Sequence, residues 1–194
     1  MMLLAAAFLL AGLPPVQDGD LIFHTSRSRQ SLAVQRATRS KYSHMGVVLM
    51  RDRRPHVFEA VGTVRYTPLA DWIARGERSG FVVKRLKDAR EQLTKESIAR
   101  LRRAAGPYAG KRYDLTFEWS DDRIYCSELV WKMYRDALDV KIGDLQRLRE
   151  FELDDPVVRT KLKERYGAKV PLDEPAISPQ AMFDSPLLET VAGR

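Results

Sequence analysis

A chain of 194 residues, 44% hydrophobic and 30% charged, has the length and balance of one soluble globular domain with a real core, not of a fibrous, collagenous or disordered chain. Its 33 basic and 26 acidic residues leave a net charge of +7, scattered apart from short clusters such as residues 51–54; this suits an anionic envelope surface, and with no nucleic-acid motif present no nucleic-acid partner is expected. One cysteine and three histidines without H-x-x-x-H or C-x-x-C spacing fall short of a zinc signature, and no G-x-S-x-G elbow or glycine-rich phosphate loop occurs, so neither metal nor cofactor is expected.

The chain opens on an apolar run from Met1 to Leu13, broken by Pro14-Pro15, with no charged residue before Asp18. The run is too short to span a bilayer as a helix and has the form of the apolar region of a secretory signal, with small residues Ala11 and Gly12 near a cleavage point. Residues 1–17 are therefore expected to be a signal peptide and residues 18–194 a single domain, exported to the periplasm. A buried N-terminal helix is the other reading. In an oxidising compartment the lone Cys126 has no internal partner, so it is inert and buried, kept for its reactivity, or paired with another molecule.

After a turn at Asp18–Gly19, Leu21–Phe23 predicts a short strand. The stretch RQSLAVQRATRS (29–40) has helical spacing. SHMGVVLMRD (43–52) is a strand whose unbroken apolar run predicts burial on both faces. The charged turn RDRRP (51–55) leads into HVFEAV (56–61), so 44–51 and 56–61 form a hairpin, and GTVRYT (62–67) extends the sheet. PLADWIARG predicts a helix with Pro68 at its first position and Gly76 as its stop. GFVVKRL (80–86) is another strand. TKESIARLRRAAG is a helix capped by Thr94, with Glu96 in its first turn. A turn-rich stretch to residue 123 precedes a helix in which Cys126, Leu129, Val130, Met133, Tyr134 and Ala137 form an apolar stripe. Asp155 caps a further helix starting at Pro156, and Ser178-Pro179 opens a short last one. Strands grouped apart from helices indicate an α+β fold, an antiparallel sheet packed with helices.

Thiol hydrolysis needs a thiolate, a base, a group that orients the base, and donors for the oxyanion. Cys126 lies at a predicted helix N-terminus, where the helix dipole favours the thiolate. Helical position alone, however, favours an inert core cysteine on an apolar stripe. His44 starts a buried strand and is either a base or a satisfied structural histidine. Glu59, between Phe58 and Ala60, either faces solvent or holds something. His56 and Glu59, three apart on a strand, point to opposite faces. Glu59 can lie near His44 across the hairpin, in a register that sequence leaves open. His24 is the weakest candidate of the three histidines.

GDLIF, YSHMGVV, FEA and YCSELV, in that order, resemble the circularly permuted papain-fold enzymes of the NlpC superfamily, and among them the YiiX-like amidases. FEAVGTVRYTPLADWI, EWSDDRIYCSELVWK, LKERYG and SPQAMFD extend the resemblance over nearly the whole chain after the signal-like segment. It implies a permuted papain-like (NlpC-type) fold with Cys126 as nucleophile, His44 as base and Glu59 as the orienting carboxylate. Tyr42 and Tyr125 are expected in the substrate or oxyanion vicinity. The implied activity is cleavage of an amide, peptide or N-acyl, through a thioacyl-enzyme. A lipid acyltransferase or thioesterase using the same residues, or a catalytically degenerate envelope-binding module, stands as the alternative. The partner implied is an amide- or ester-containing small molecule, peptide or lipid.

Overall fold

The computed structural model describes residues 13–194, so the expected signal segment lies outside the described residues as far as residue 12. In chain order these residues form β1 (Leu21–His24), α1 (Ser31–Thr38), β2 (His44–Arg51), β3 (Arg54–Val61), β4 (Thr63–Pro68), α2 (Leu69–Ala74), β5 (Val82–Leu86), α3 (Ala89–Gln92), α4 (Lys95–Ala105), β6 (Arg112–Tyr113), β7 (Arg123–Ile124), α5 (Cys126–Leu138), β8 (Gln146–Arg147), α6 (Pro156–Tyr166), β9 (Pro175–Ala176), α7 (Pro179–Phe183) and β10 (Leu188–Gly193). Eight strands make one sheet in the order β10-β5-β1-β2-β3-β4-β6-β7, and β8 pairs with β9 apart from it. All pairs are antiparallel except β6 with β7. This is the expected α+β architecture.

The expected hairpin forms, and its ladder closes at Arg51 opposite Arg54. The two residues between, Asp52 and Arg53, both adopt positive φ (49° and 62°), which matches the turn to the twist of the strands. The sheet buries both faces. On one, Leu21, Phe23, Met45, Val47, Leu49, Phe58 and Ala60 pack against α4 and the stripe of α5. On the other, Ile22, Val48, Val57 and Val83 pack against Leu69, Trp72 and Ile73 around α2. Leu13 and Val16 also lean on this second cluster.

The expected caps are present where a local hydrogen bond makes them. Thr94 Oγ1 accepts from the Ser97 amide, Asp155 from Val157 and Ser178 from Ala181. Three expectations need correction. Pro68 ends β4 and caps α2 instead of starting it. The turn-rich stretch before Cys126 contains β6 and β7. The chain also does not end on helices, because β10 returns to pair with β5. None of these three strands has a local signature, since each exists only through pairing with a distant segment.

Candidate active site

Cys126 is the first residue of α5, and Tyr125 before it is extended (φ −100°, ψ 170°). The helix start is pinned from two sides. Ser127 Oγ donates to the Ile177 carbonyl at 2.7 Å, and the Ile177 amide donates to the Tyr125 hydroxyl at 3.1 Å. The first turn of a helix carries N–H groups without helical acceptors, so Cys126 stands at the positive end of the dipole.

His44 is the first residue of β2, at the end of the strand on which α5 packs. The ladder pairs Val47 with Phe58, which sets Glu59 opposite Gly46 and diagonal to His44 on the same face. His44 Nε2 then donates to Glu59 Oε2 at 2.7 Å. Gly46 makes the close approach possible: a Cβ there would lie 2.4 Å from Val57 Cγ1 and 2.8 Å from the Phe58 carbonyl. With Nε2 committed to Glu59, Nδ1 is the ring nitrogen left for the Cys126 thiol, and the two groups are close enough to shift each other's titration.

Glu59 is completely buried and has three partners. Besides His44 it accepts from Thr67 Oγ1 at 2.6 Å and from the Arg75 guanidinium. Burial pushes its carboxyl up, but the hydrogen bond from His44, then Thr67 and Arg75, more than offset this and hold it down at about 2. Burial likewise disfavours a charged His44, yet the neighbouring Cys126 and the bond to Glu59 lift it to about 9. For Cys126 burial raises the thiol, and His44, with the backbone N–H groups of Met45 and Ser127, brings it below its ordinary value. The arrangement favours a thiolate–imidazolium pair. Alkylation of Cys126 by iodoacetamide should therefore already be fast near neutral pH. In His44→Ala the midpoint of its pH–rate curve should move upward, because only the burial penalty and the backbone donors remain. An unmoved midpoint in the variant would exclude the pairing.

The remaining histidines separate clearly. His56 lies near the turn end of the hairpin, paired with Leu49 and with Nδ1 near the Arg54 carbonyl, at the opposite end from His44. His24 is in the site wall. The β1–β2 ladder pairs it directly with His44, and the two rings are 5.3 Å apart. It stacks on Trp72 at 3.9 Å. Burial, reinforced by the nearby positive charges of His44 and Arg75, lowers it to about 3, so it stays neutral beside a charged His44.

Of the two tyrosines, Tyr125 lies at the site and Tyr42 does not. Tyr42 packs against Phe23 and Phe183 in the core and lines neither cavity at the thiol. Tyr113 on β6 does line both. Its hydroxyl accepts from Gln30 Nε2 at 2.9 Å, which leaves its own proton free. Burial, then the negative charge at Cys126, pushes its pKa well up, so it remains a donor. Tyr113, Gln30, Thr67 and Arg75 were not anticipated. Only Thr67 had a sequence signal: reversing the chain at Gly62 places residue 67 diagonal to residue 59 on one face.

Two cavities meet at this centre. A narrow apolar chamber of about 100 Å³ runs between α1, α6 and the Ala176–Pro179 segment, with Cys126 in its wall. A wider cleft of about 890 Å³ has His44 in its wall. Gln30, Ser43 and Tyr113 line both. The thiol and the imidazole thus sit on the partition between a narrow apolar space and a wider one whose wall adds arginine, serine and histidine side chains to apolar surface.

The model of the permuted papain-like amidase enzymes, the YaeF/YiiX or C92 family, matches residues 15–192 of this chain. The chain is 53% identical over 176 residues to the "Uncharacterized protein YiiX" of Escherichia coli strain K12, covering 91% of this chain and 86% of the relative. A crystal structure described as "metalloprotein yiiX from Escherichia coli O157:H7" superposes with a TM-score of 0.88 at 53% identity, covering 92% of this chain and 97% of that one.

Proposed function

Since the chain belongs to the permuted papain-like amidase family, and is an enzyme of that kind, we propose that it hydrolyses an amide of an apolar acyl group, with Cys126 as nucleophile, His44 as base and Glu59 as the carboxylate that orients it. One observation carries this reading: the thiol lines a narrow apolar chamber and the imidazole a wider, arginine-bearing cleft, and the two cavities share Gln30, Ser43 and Tyr113 in their walls. A slender acyl arm fits the chamber, and the scissile carbonyl then lies at the partition.

The Cys126 thiolate attacks the carbonyl carbon. The negative oxygen is held by first-turn N–H groups of α5 and the free proton of Tyr113. As the C–N bond breaks, imidazolium His44 gives its proton to the leaving amine. The amine departs through the cleft, leaving a thioester on Cys126. Water gives a proton to His44, its oxygen attacks the thioester, and the carboxylic acid leaves as the thiolate–imidazolium pair is restored. Glu59 keeps Nε2 protonated and Nδ1 aimed at the thiol throughout.

The word metalloprotein belongs to the relative's description, and the donors near the thiol do not fit a metal. Among the described residues no three His, Cys, Asp or Glu side chains converge as ligands. Glu59 is already held by His44, Thr67 and Arg75, so no step runs through a metal.

Export through the apolar run at residues 1–13 is part of the same proposal. Cleavage near Ala11–Gly12 keeps Leu13 and Val16 on the second core cluster, whereas cleavage after Gln17 removes them. Among the described residues no helix is long and apolar enough to cross a membrane.

The test is a series of 4-nitroanilides carrying acetyl, hexanoyl or decanoyl groups. Intact mass should show a transient acyl adduct on Cys126, and kcat/KM should rise from acetyl to hexanoyl as the chamber fills. Added hydroxylamine separates hydrolysis from transfer by its hydroxamate product. Equal rates along the series, or turnover without an adduct, would defeat the proposal.

A further inference from the structure

The cleft lined by His44 carries a positive charge that no step above uses. Arg27, Arg75, Arg112 and Arg123 line it, and among the described residues no Asp or Glu does. Arg75 is already paired with Glu59. Arg27, Arg112 and Arg123 are exposed and make no ion pair among the described residues. Arg112 and Arg123 are also register partners on β6 and β7. Like charges side by side on neighbouring strands repel one another, so this pairing costs stability unless an anion lies between them. The doublet is close to the chemistry along the chain. Arg112 precedes Tyr113, and Arg123 stands three residues before Cys126. Ser26, Ser28 and Thr63 add hydroxyl donors to the same wall.

We propose that this cleft is an anion-binding leaving-group subsite: the amine released from the substrate carries a carboxylate or a phosphate, held by the Arg112–Arg123 doublet with Arg27 from the segment after β1. The inference rests on the amidase reading and names the second half of its substrate. Guanidinium forks suit both anions, because each offers paired oxygens to parallel N–H donors. The asymmetry follows from the two cavities. The acyl half goes into the narrow apolar chamber, where a charge would be desolvated at high cost, and the anion goes into the wider cleft lined by the arginines.

Two measurements test this, one of them independent of catalysis. Cys126 is alkylated with anionic iodoacetate and with neutral iodoacetamide, in the wild type and in the Arg27→Gln/Arg112→Gln/Arg123→Gln variant. The iodoacetate-to-iodoacetamide rate ratio should fall about tenfold in the variant, and about 0.5 M salt should reproduce much of that fall in the wild type. Arg112→Lys/Arg123→Lys, which keeps the charge, should keep most of the ratio. A ratio that is the same in the wild type and the glutamine variant would overturn the proposal, since His44 alone would then explain any preference for iodoacetate.

The second measurement compares N-hexanoyl amides of 4-aminobenzoate, 4-aminophenyl phosphate and neutral 4-aminobenzamide. At least one anionic amide should exceed the neutral one in kcat/KM by about tenfold, and that advantage should shrink in the glutamine variant. Whichever anion leads identifies the carboxylate or phosphate source. Equal rates for all three would overturn the subsite. A fall in the alkylation ratio with none of the amides cleaved would support the anion site and overturn the amidase reading beneath it.

Discussion

Cys126→Ala should lower amide turnover by on the order of 10⁵-fold, His44→Ala should cost nearly as much, and the double variant should be no worse than either. The reason lies in the pairing. The thiol is brought below its ordinary pKa chiefly by His44, and His44 is lifted to about 9 by Cys126 and Glu59, so each group creates the reactive state of the other. Once one is gone, the second has nothing to activate or to be activated by, and the two losses do not add. Burial sharpens the effect, because an unpaired charge in this site is penalised by desolvation. Folding should be little affected by Cys126→Ala, since the helix start is pinned by Ser127, Tyr125 and Ile177 and not by the sulfur. Activity within tenfold of wild type in either single variant, measured on the hexanoyl anilide, would remove both residues from the mechanism.

Glu59→Gln should reduce kcat by about 10² to 10⁴-fold and lower stability by about 3 kcal/mol. The carboxylate accepts from His44, Thr67 and Arg75 at once while fully buried. An amide of the same shape can accept through only one of its two polar atoms. If its NH₂ turns to His44, the ring must present a bare Nε2 and carry its proton on Nδ1, the atom that should receive one from the thiol. If the carbonyl turns to His44, the NH₂ meets the donors of Thr67 and Arg75. Arg75 loses its counter-charge in either case. The carboxyl of Glu59 is depressed from 4.5 to about 2 in the folded protein. A depressed acid contributes stability that is complete above its unfolded value and is lost as pH falls towards its folded one. The stability gap between wild type and Glu59→Gln should therefore be widest above pH 4.5 and close as pH falls towards about 2. Urea titrations at several pH values would measure it. A gap that is constant with pH, or a variant with wild-type kcat, would show that Glu59 neither holds a charge nor orients His44.

Much of the site could be read from the sequence because its elements are locally encoded. The stripe from Cys126 to Ala137 needs only helical periodicity, and all six of its residues are buried. The hairpin needs only two apolar runs around a charged turn, and its closure on Asp52-Arg53 brings His44 and Glu59 to one face. What the sequence concealed is non-local. Tyr42 precedes the histidine strand by two residues and invited a role, yet it packs against Phe23 and Phe183. Tyr113 sits in an unpatterned stretch and reaches both cavities only because β6 pairs with β4 and β7. His24 looked isolated after a short strand, and cross-strand pairing sets it directly beside His44.

The sequence by itself determined the kind of chain this is: an α+β domain with one thiol at a helix start, a histidine at a strand start and a carboxylate on the neighbouring strand. Periodicity, caps and turns are set by residues a few positions apart, so they survive being read in one dimension. Only the tertiary structure decided which groups surround the thiol. Thr67, Arg75, Tyr113, Gln30 and the arginines of the cleft come from segments separated along the chain. Sheet order and register bring them together, and those depend on which strands pair, a choice made by the burial of the whole core.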